Sequence, residues 1–151
     1  MTNLKLESTS FENGEEIPKK FGYKQENINP SLAIKNLPEN TESWAIIMDD
    51  PDAMDAVGKI WIHWLIWNIS PNICEITEGN IPQNTVQGKT DFGDTGYGGP
   101  APPDKRHTYI FKVYALDTML KLPESSTKQE LENAMRNHII EESKLTGTFT
   151  P

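Results

Sequence analysis

The chain has 151 residues, 36% hydrophobic and 24% charged, a size and composition for a single globular domain spanning residues 1–151 with a core of its own. Its formal net charge of -8 opposes a phosphate backbone and excludes general nucleic-acid binding, while leaving room for one small anion site built from local donors. The lone Cys74 cannot form an internal disulfide, Met1 to Glu7 lacks the basic and apolar regions of a secretory signal, and no apolar stretch is long enough to cross a bilayer, so a cytoplasmic location is expected.

In chain order, weak strands are expected at Leu4 to Ser8 and near Ser31 to Ile34. Trp44 to Met48 reads as a short apolar strand running into Asp49-Asp50-Pro51, where the proline biases Asp50 toward an extended backbone. Ile60 to Ile69 is the clearest strand. Strict alternation places Trp61, His63, Leu65, Trp67 and Ile69 on one face and Ile60, Ile62, Trp64, Ile66 and Asn68 on the other. Both faces are apolar, so this strand should be central and covered on both sides. Asn72 to Pro103 has little periodicity and many glycines, and long segments of this kind often carry function. Thr108 to Leu116 is a second strong strand with Tyr109, Phe111, Val113 and Ala115 on one face and His107 in register with them. Near the C-terminus a helix is expected, capped by Ser126 with Gln129 three residues on. Its apolar stripe would be Leu131, Ala134, Met135, His138 and Ile139, with Glu141 and Glu142 near its end and Gly147 as a stop. The pattern is that of a mainly β domain with a late helix packed on it.

Two segments carry the chemistry. Asp50-Pro51-Asp52-Ala53 follows one strand, and Gly99 to Tyr109 leads into another, with His63 in the strand between. Together they would gather two carboxylates, two imidazoles, a phenol and a stiff Gly/Pro loop around a small charged group. His63, His107 and Tyr109 are expected to donate to bound oxygen atoms, Asp50 to orient an imidazole or accept from the ligand, and Gly98 and Gly99 to bring backbone N–H groups close. Asp52 reads equally well as a ligand contact or as a turn acceptor for nearby backbone N–H groups. His63 taken alone reads as a satisfied core histidine, and the company of the other groups shifts it toward a pocket. His138 reads as core, and the tryptophans as core or pocket wall.

No nucleophile is recognisable, so the segments suggest a binding protein rather than an enzyme. The alternative is a phosphoester hydrolase with His63 or His107 as general base. No His-x-x-x-His spacing supports a metal, and no cofactor is implied. Gln87-Gly88-Lys89-Thr90 ends like a phosphate-binding loop, but Gln83 stands at the place of the earlier glycine and no helix pattern follows.

These residues resemble the two signature regions of the phosphatidylethanolamine-binding protein family, in its bacterial-type Raf kinase inhibitor-like branch. The first region runs from Ile46 to Asn68 and holds Asp50-Pro51-Asp52-Ala53, His63-Trp64 and Asn68. The second runs from Gly96 to Leu116 and holds Gly96-Tyr97-Gly98-Gly99-Pro100-Ala101-Pro102-Pro103, His107, Tyr109, Phe111 and Tyr114-Ala115-Leu116. Weaker likeness continues through Phe11, Gly14, Ile17-Pro18, Asn29-Pro30, Leu32 and Leu145 to Thr148. The resemblance implies an antiparallel β-sandwich with an anion-binding cavity at one end, formed by Asp50, Asp52, His63, Pro102, His107 and Tyr109, with Ala101 lending backbone. It implies a phosphate or phospholipid head group as ligand, a kinase or serine protease as the partner class of an inhibitor-like regulator, and a homodimer as the common assembly. Three positions depart from the family pattern: Met54 stands for a proline, Lys105 for a glycine and Thr108 for an arginine.

Overall fold

A computed structural model describes residues 3–151, and the first two residues of the expected 1–151 domain lie outside the described residues. In chain order the regular elements are β1 (Lys5–Glu7), β2 (Leu32–Lys35), β3 (Ser43–Asp50), α1 (Ala53–Val57), β4 (Trp61–Ile69), β5 (Glu75–Ile76), β6 (Val86–Gln87), β7 (His107–Leu116), α2 (Lys128–Met135) and β8 (Ile139–Phe149). One turn of 3-10 helix occupies Lys19–Phe21. A three-stranded sheet runs β1-β2-β5 and a five-stranded sheet runs β6-β4-β3-β7-β8. All strand pairs within them are antiparallel. No helix among the described residues is long and apolar enough to cross a membrane.

The five-stranded sheet is buried on both faces. On one, Trp44, Ile46 and Met48 of β3 and Phe111 and Val113 of β7 share a core with Leu6, Leu32 and Ile34 of the smaller sheet. On the other, Ala45, Ile47, Leu65, Trp67 and Leu116 pack beneath Leu131 and Met135 of α2. The expected strands are all present, with ends moved by a residue or two. The irregular stretch from Asn72 to Pro103 also contributes the short edge strands β5 and β6.

Two expectations need correction. Helix α2 is shorter than the sequence suggested. It is capped one residue later than Ser126, by Thr127, whose hydroxyl accepts from the Glu130 backbone while the Glu130 carboxylate accepts from the Thr127 backbone. It stops because Asn137 takes a left-handed conformation (φ 70°), which asparagine tolerates better than most residues. Residues from Ile139 onward then form β8, in which Leu145, Gly147 and Phe149 face the core in alternation. His138 is therefore not core. It lies exposed in the connection and bonds Asp117 at 2.8 Å through Nδ1.

Candidate functional site

Three neighbouring strands of the large sheet end at one cavity of about 120 Å³. From β3 comes Asp50, from β4 Trp61 and His63, and from β7 His107 and Tyr109. The roof is Phe92, Ala101 and Pro103 from the long loop, and α1 closes the side with Ala53, Ala56 and Val57.

His63 reaches this cavity because β4 is irregular. Met48 pairs with Trp64 but Asp49 pairs with Ile62, so His63 is an extra residue opposite β3. Such a bulge twists the strand and re-aims a side chain. His63 and Trp64, although consecutive, both turn toward the core shared with the smaller sheet, where the His63 ring meets Tyr109 edge-on at 5.1 Å. Leu65 and Trp67, which strict alternation would place beside His63, face α2 instead. The bulge is held by Asp91, whose carboxylate accepts from Ile62 N at 2.7 Å and whose own N–H donates to the Ile62 carbonyl.

The imidazole of His63 is fixed from two sides. Its Nδ1 lies 2.7 Å from the Gly98 carbonyl, and Gly98 N–H donates back to the His63 carbonyl at 2.8 Å. Burial pushes its pKa down to about 4, so the ring is neutral at neutral pH. A carbonyl only accepts, so Nδ1 carries the single proton and Nε2 presents a lone pair. Toward the cavity His63 is an acceptor, the reverse of the donor role expected from sequence.

His107 is fully buried between two carboxylates. Its Nδ1 is 2.7 Å from Asp50 Oδ2 and its Nε2 2.8 Å from Asp104 Oδ1. Desolvation works to lower its pKa, but the bonds to Asp50 and then Asp104 outweigh it and hold the imidazole above its ordinary value. With an acceptor at each nitrogen, the imidazolium is the form that satisfies both. Burial raises the Asp50 carboxyl above its usual range against the pull of His107. The second Asp50 oxygen accepts from Asp52 N at 2.9 Å. Tyr109 is wholly buried and its hydroxyl makes no well-formed hydrogen bond, although the Asp50 carboxylate and the Ala101 backbone lie close enough to act on it, and burial is the main cause that pushes its pKa upward.

Of the residues expected at the site, Asp50, His63, Ala101, His107 and Tyr109 meet at this cavity, and Asp52 and Pro102 do not line it. Asp52 spends its Oδ2 on Thr108 N at 2.8 Å, tying the turn after β3 to the start of β7. Pro102 faces a neighbouring cavity of about 310 Å³, lined also by Lys19, Lys24 and Phe149, that shares only Ala101 and Pro103 with the first and holds neither imidazole. The Gly98 and Gly99 N–H groups are not free for a ligand either. Gly98 serves His63, and Gly99 donates to Asn27 Oδ1 at 2.7 Å. These glycines are needed for close approach: a Cβ on Gly99 would stand 2.0 Å from the Phe21 carbonyl oxygen, and one on Gly98 2.6 Å from the Phe92 ring.

Sequence reasoning missed Asp104, Phe92 and α1. Asp104 is three residues before His107 in the Pro-Pro loop, a spacing that was the available signal. The departing positions all find places. Met54 lies in α1 with its N–H on the Pro51 carbonyl at 3.3 Å, so the turn closes without a proline there. Lys105 approaches Asp55 at 4.0 Å, linking the rim loop to α1, and Thr108 pairs with Thr148 across β7 and β8. Among the described residues, no group of three or more His, Cys, Asp or Glu side chains is arranged to hold a metal ion.

A family model described as phosphatidylethanolamine-binding protein matches residues 7–150. A UPF0098 protein of Methanothermobacter thermautotrophicus is 38% identical over 151 residues, covering 97% of this chain and 98% of that relative. A crystal structure of a putative phosphatidylethanolamine-binding protein homologue, CT736, from Chlamydia trachomatis is similar with a TM-score of 0.89 at 38% identity, over 96% of this chain and 95% of that one. E. coli YbcL, described as a new member of the mammalian family, gives a TM-score of 0.90 at 29% identity over 98% of each chain.

Proposed function

Because this chain belongs to the phosphatidylethanolamine-binding protein family, we propose that it is a binding protein for a small oxyanion, a phosphate or a phosphoryl head group, held in the cavity between His63, His107 and Tyr109. The observation that carries the reading is the Tyr109 hydroxyl, wholly buried and without a well-formed hydrogen bond, in the same cavity as an imidazole held above its ordinary pKa. A buried donor without a partner is costly, and a ligand oxygen relieves that cost. The cavity, at about 120 Å³, has room for a phosphoryl group.

Binding rather than turnover is the better reading. No serine, threonine or cysteine lines the cavity. Both nitrogens of His107 are engaged by carboxylates, and His63, pushed down to about 4, is a weak base for a hydrolase. A regulator that docks on a kinase or protease is supported by two exposed apolar side chains of α1, Val57, which lines the cavity, and Met54 on the same helix, each 51% exposed.

Asp104 occupies the position at His107 Nε2 that a ligand oxygen would take. An entering oxyanion displaces it, and that displacement supplies the test. Inorganic phosphate titrated into the protein should shift the ring signals of His63 and His107 in NMR spectra, and Asp104→Asn should tighten phosphate binding by about threefold to tenfold, since a charged competitor is removed. Absence of any ring shift at millimolar phosphate, with the protein folded, would sink the proposal.

A further inference from the structure

We infer that the cavity selects an oxyanion that carries its own proton, such as a hydrogen phosphate or a phosphomonoester, over one that carries none, and that His63 is the residue that reads this proton. The inference rests on the anion-site reading above and adds the chemical class of ligand to it.

The argument is one of hydrogen-bond polarity. A neutral imidazole has one N–H and one lone pair. His63 gives its N–H to the Gly98 carbonyl at 2.7 Å. The return bond from Gly98 N–H to the His63 carbonyl fixes ring and loop together, so a ring flip would break the Nδ1 bond. Among the described residues the ring's hydrogen bond is made at Nδ1 and none is made at Nε2, although the Gly99 backbone as well as Gly98 acts on the ring, and the Nε2 lone pair is the polar feature His63 offers the cavity. His107 is its opposite, with both nitrogens donating, to Asp50 and Asp104. Tyr109 stands against both rings and can donate.

A ligand must therefore bring one donor and several acceptors. A bare oxyanion has only lone pairs, and against His63 Nε2 it would set one lone pair on another beside the apolar Phe92 ring. An oxyanion bearing P–O–H donates that hydrogen to Nε2, accepts from the Tyr109 hydroxyl, and accepts from His107 Nε2–H once Asp104 gives way. Sites whose buried polar groups demand a partner reject analogues lacking it strongly.

The charged groups acting on the His63 ring do not reverse this. Asp91, on the loop after β6, favours a second proton on the ring, and His107 on β7 opposes one. Asp50 on β3 is engaged by His107 and by Asp52 N. Burial outweighs these influences and keeps the ring neutral.

Ethyl phosphate and dimethyl phosphate are isomers that test this in the wild-type protein. Near pH 5, below the second ionisation of a phosphomonoester at about 6, both are monoanions, but only ethyl phosphate carries a P–O–H. Calorimetric titration should give ethyl phosphate an affinity at least about tenfold higher. Nitrogen NMR of the complex should show His63 with its proton still on Nδ1 and Nε2 shifted as an acceptor. Equal affinity for the two esters, or a His63 ring protonated at both nitrogens in the complex, overturns the inference while leaving the anion site standing. No binding of either ester or of inorganic phosphate overturns the anion-site reading and this inference with it.

Discussion

His63 and His107 are two copies of one side chain with opposite protonation, set by what each nitrogen faces. The consequence for stability can be worked out for His63. Its folded pKa of about 4 lies below the ordinary 6.5, so the stability tied to its neutral form is complete above about 6.5. That stability is withdrawn as pH falls from 6.5 toward 4, because the unfolded chain takes up a proton that the folded one refuses. The loss amounts to about 3 kcal/mol across that window. Urea unfolding of the wild type at successive pH values should show this slope, and NMR should place the His63 ring midpoint near 4; a midpoint near 6.5 would contradict the burial argument. His107 has the opposite sign, its raised value adding stability at low pH that fades as pH climbs through it. At this scale the sequence identified both histidines, Asp50 and Tyr109, because they sit in two motifs of specific spacing. It could not assign the proton on His63, since that depends on Gly98, a partner 35 residues away. It left Asp52 open between ligand contact and turn acceptor without finding its partner, Thr108 N, 56 residues away, and it could not see that the Gly98 and Gly99 N–H groups are spent on His63 and Asn27.

Among the elements, β3 was legible as a short continuous apolar run ending at Asp-Pro, and β7 because Tyr109, Phe111, Val113 and Ala115 recur at every second position. In β4 the strand itself was legible but its side-chain directions were not, since a bulge leaves no mark in a run of residues that are apolar on both faces. The end of α2 was misread for a similar reason. Leu131, Ala134, Met135 and His138 keep helical spacing across Asn137, and only the αL tolerance of asparagine signals the stop. The short α1 has too few residues for a periodic signal, and its sequence is dominated by the preceding Asp-Pro turn. The Gly98–Pro103 loop has a sharper requirement. Phe21 lies behind Gly99 and cannot yield, because its carbonyl belongs to the backbone and also accepts from the Tyr97 hydroxyl. Gly99→Ala should therefore lower stability by about 3 kcal/mol or more, read as a fall in the urea midpoint, and displace the roof of the cavity. A variant as stable as the wild type would show that the loop tolerates movement.

At the scale of the whole molecule the large sheet separates two cores, and the cavity opens on one side of it only. Tyr109 packs in the core shared with the smaller sheet, whereas Leu131 is buried beneath α2 on the far side. Leu131→Ala should cost about 2–5 kcal/mol in urea unfolding yet leave phosphate affinity unchanged. A parallel loss of affinity would mean that the two sides are coupled through the sheet. The additional residue in β4 bears on how such a protein tolerates editing of its length. Deleting Ile62 would remove the irregularity between Met48 and Asp49, one of two along this ladder, together with the two Asp91 bonds that hold it, and every letter of the motif would survive. The imidazole would nevertheless swing to the opposite side, under α2, and the recess would lose its only lone-pair nitrogen. The make-up of the recess is stored in the count of residues between two points as much as in their identity, and a substitution scan alone would not detect it.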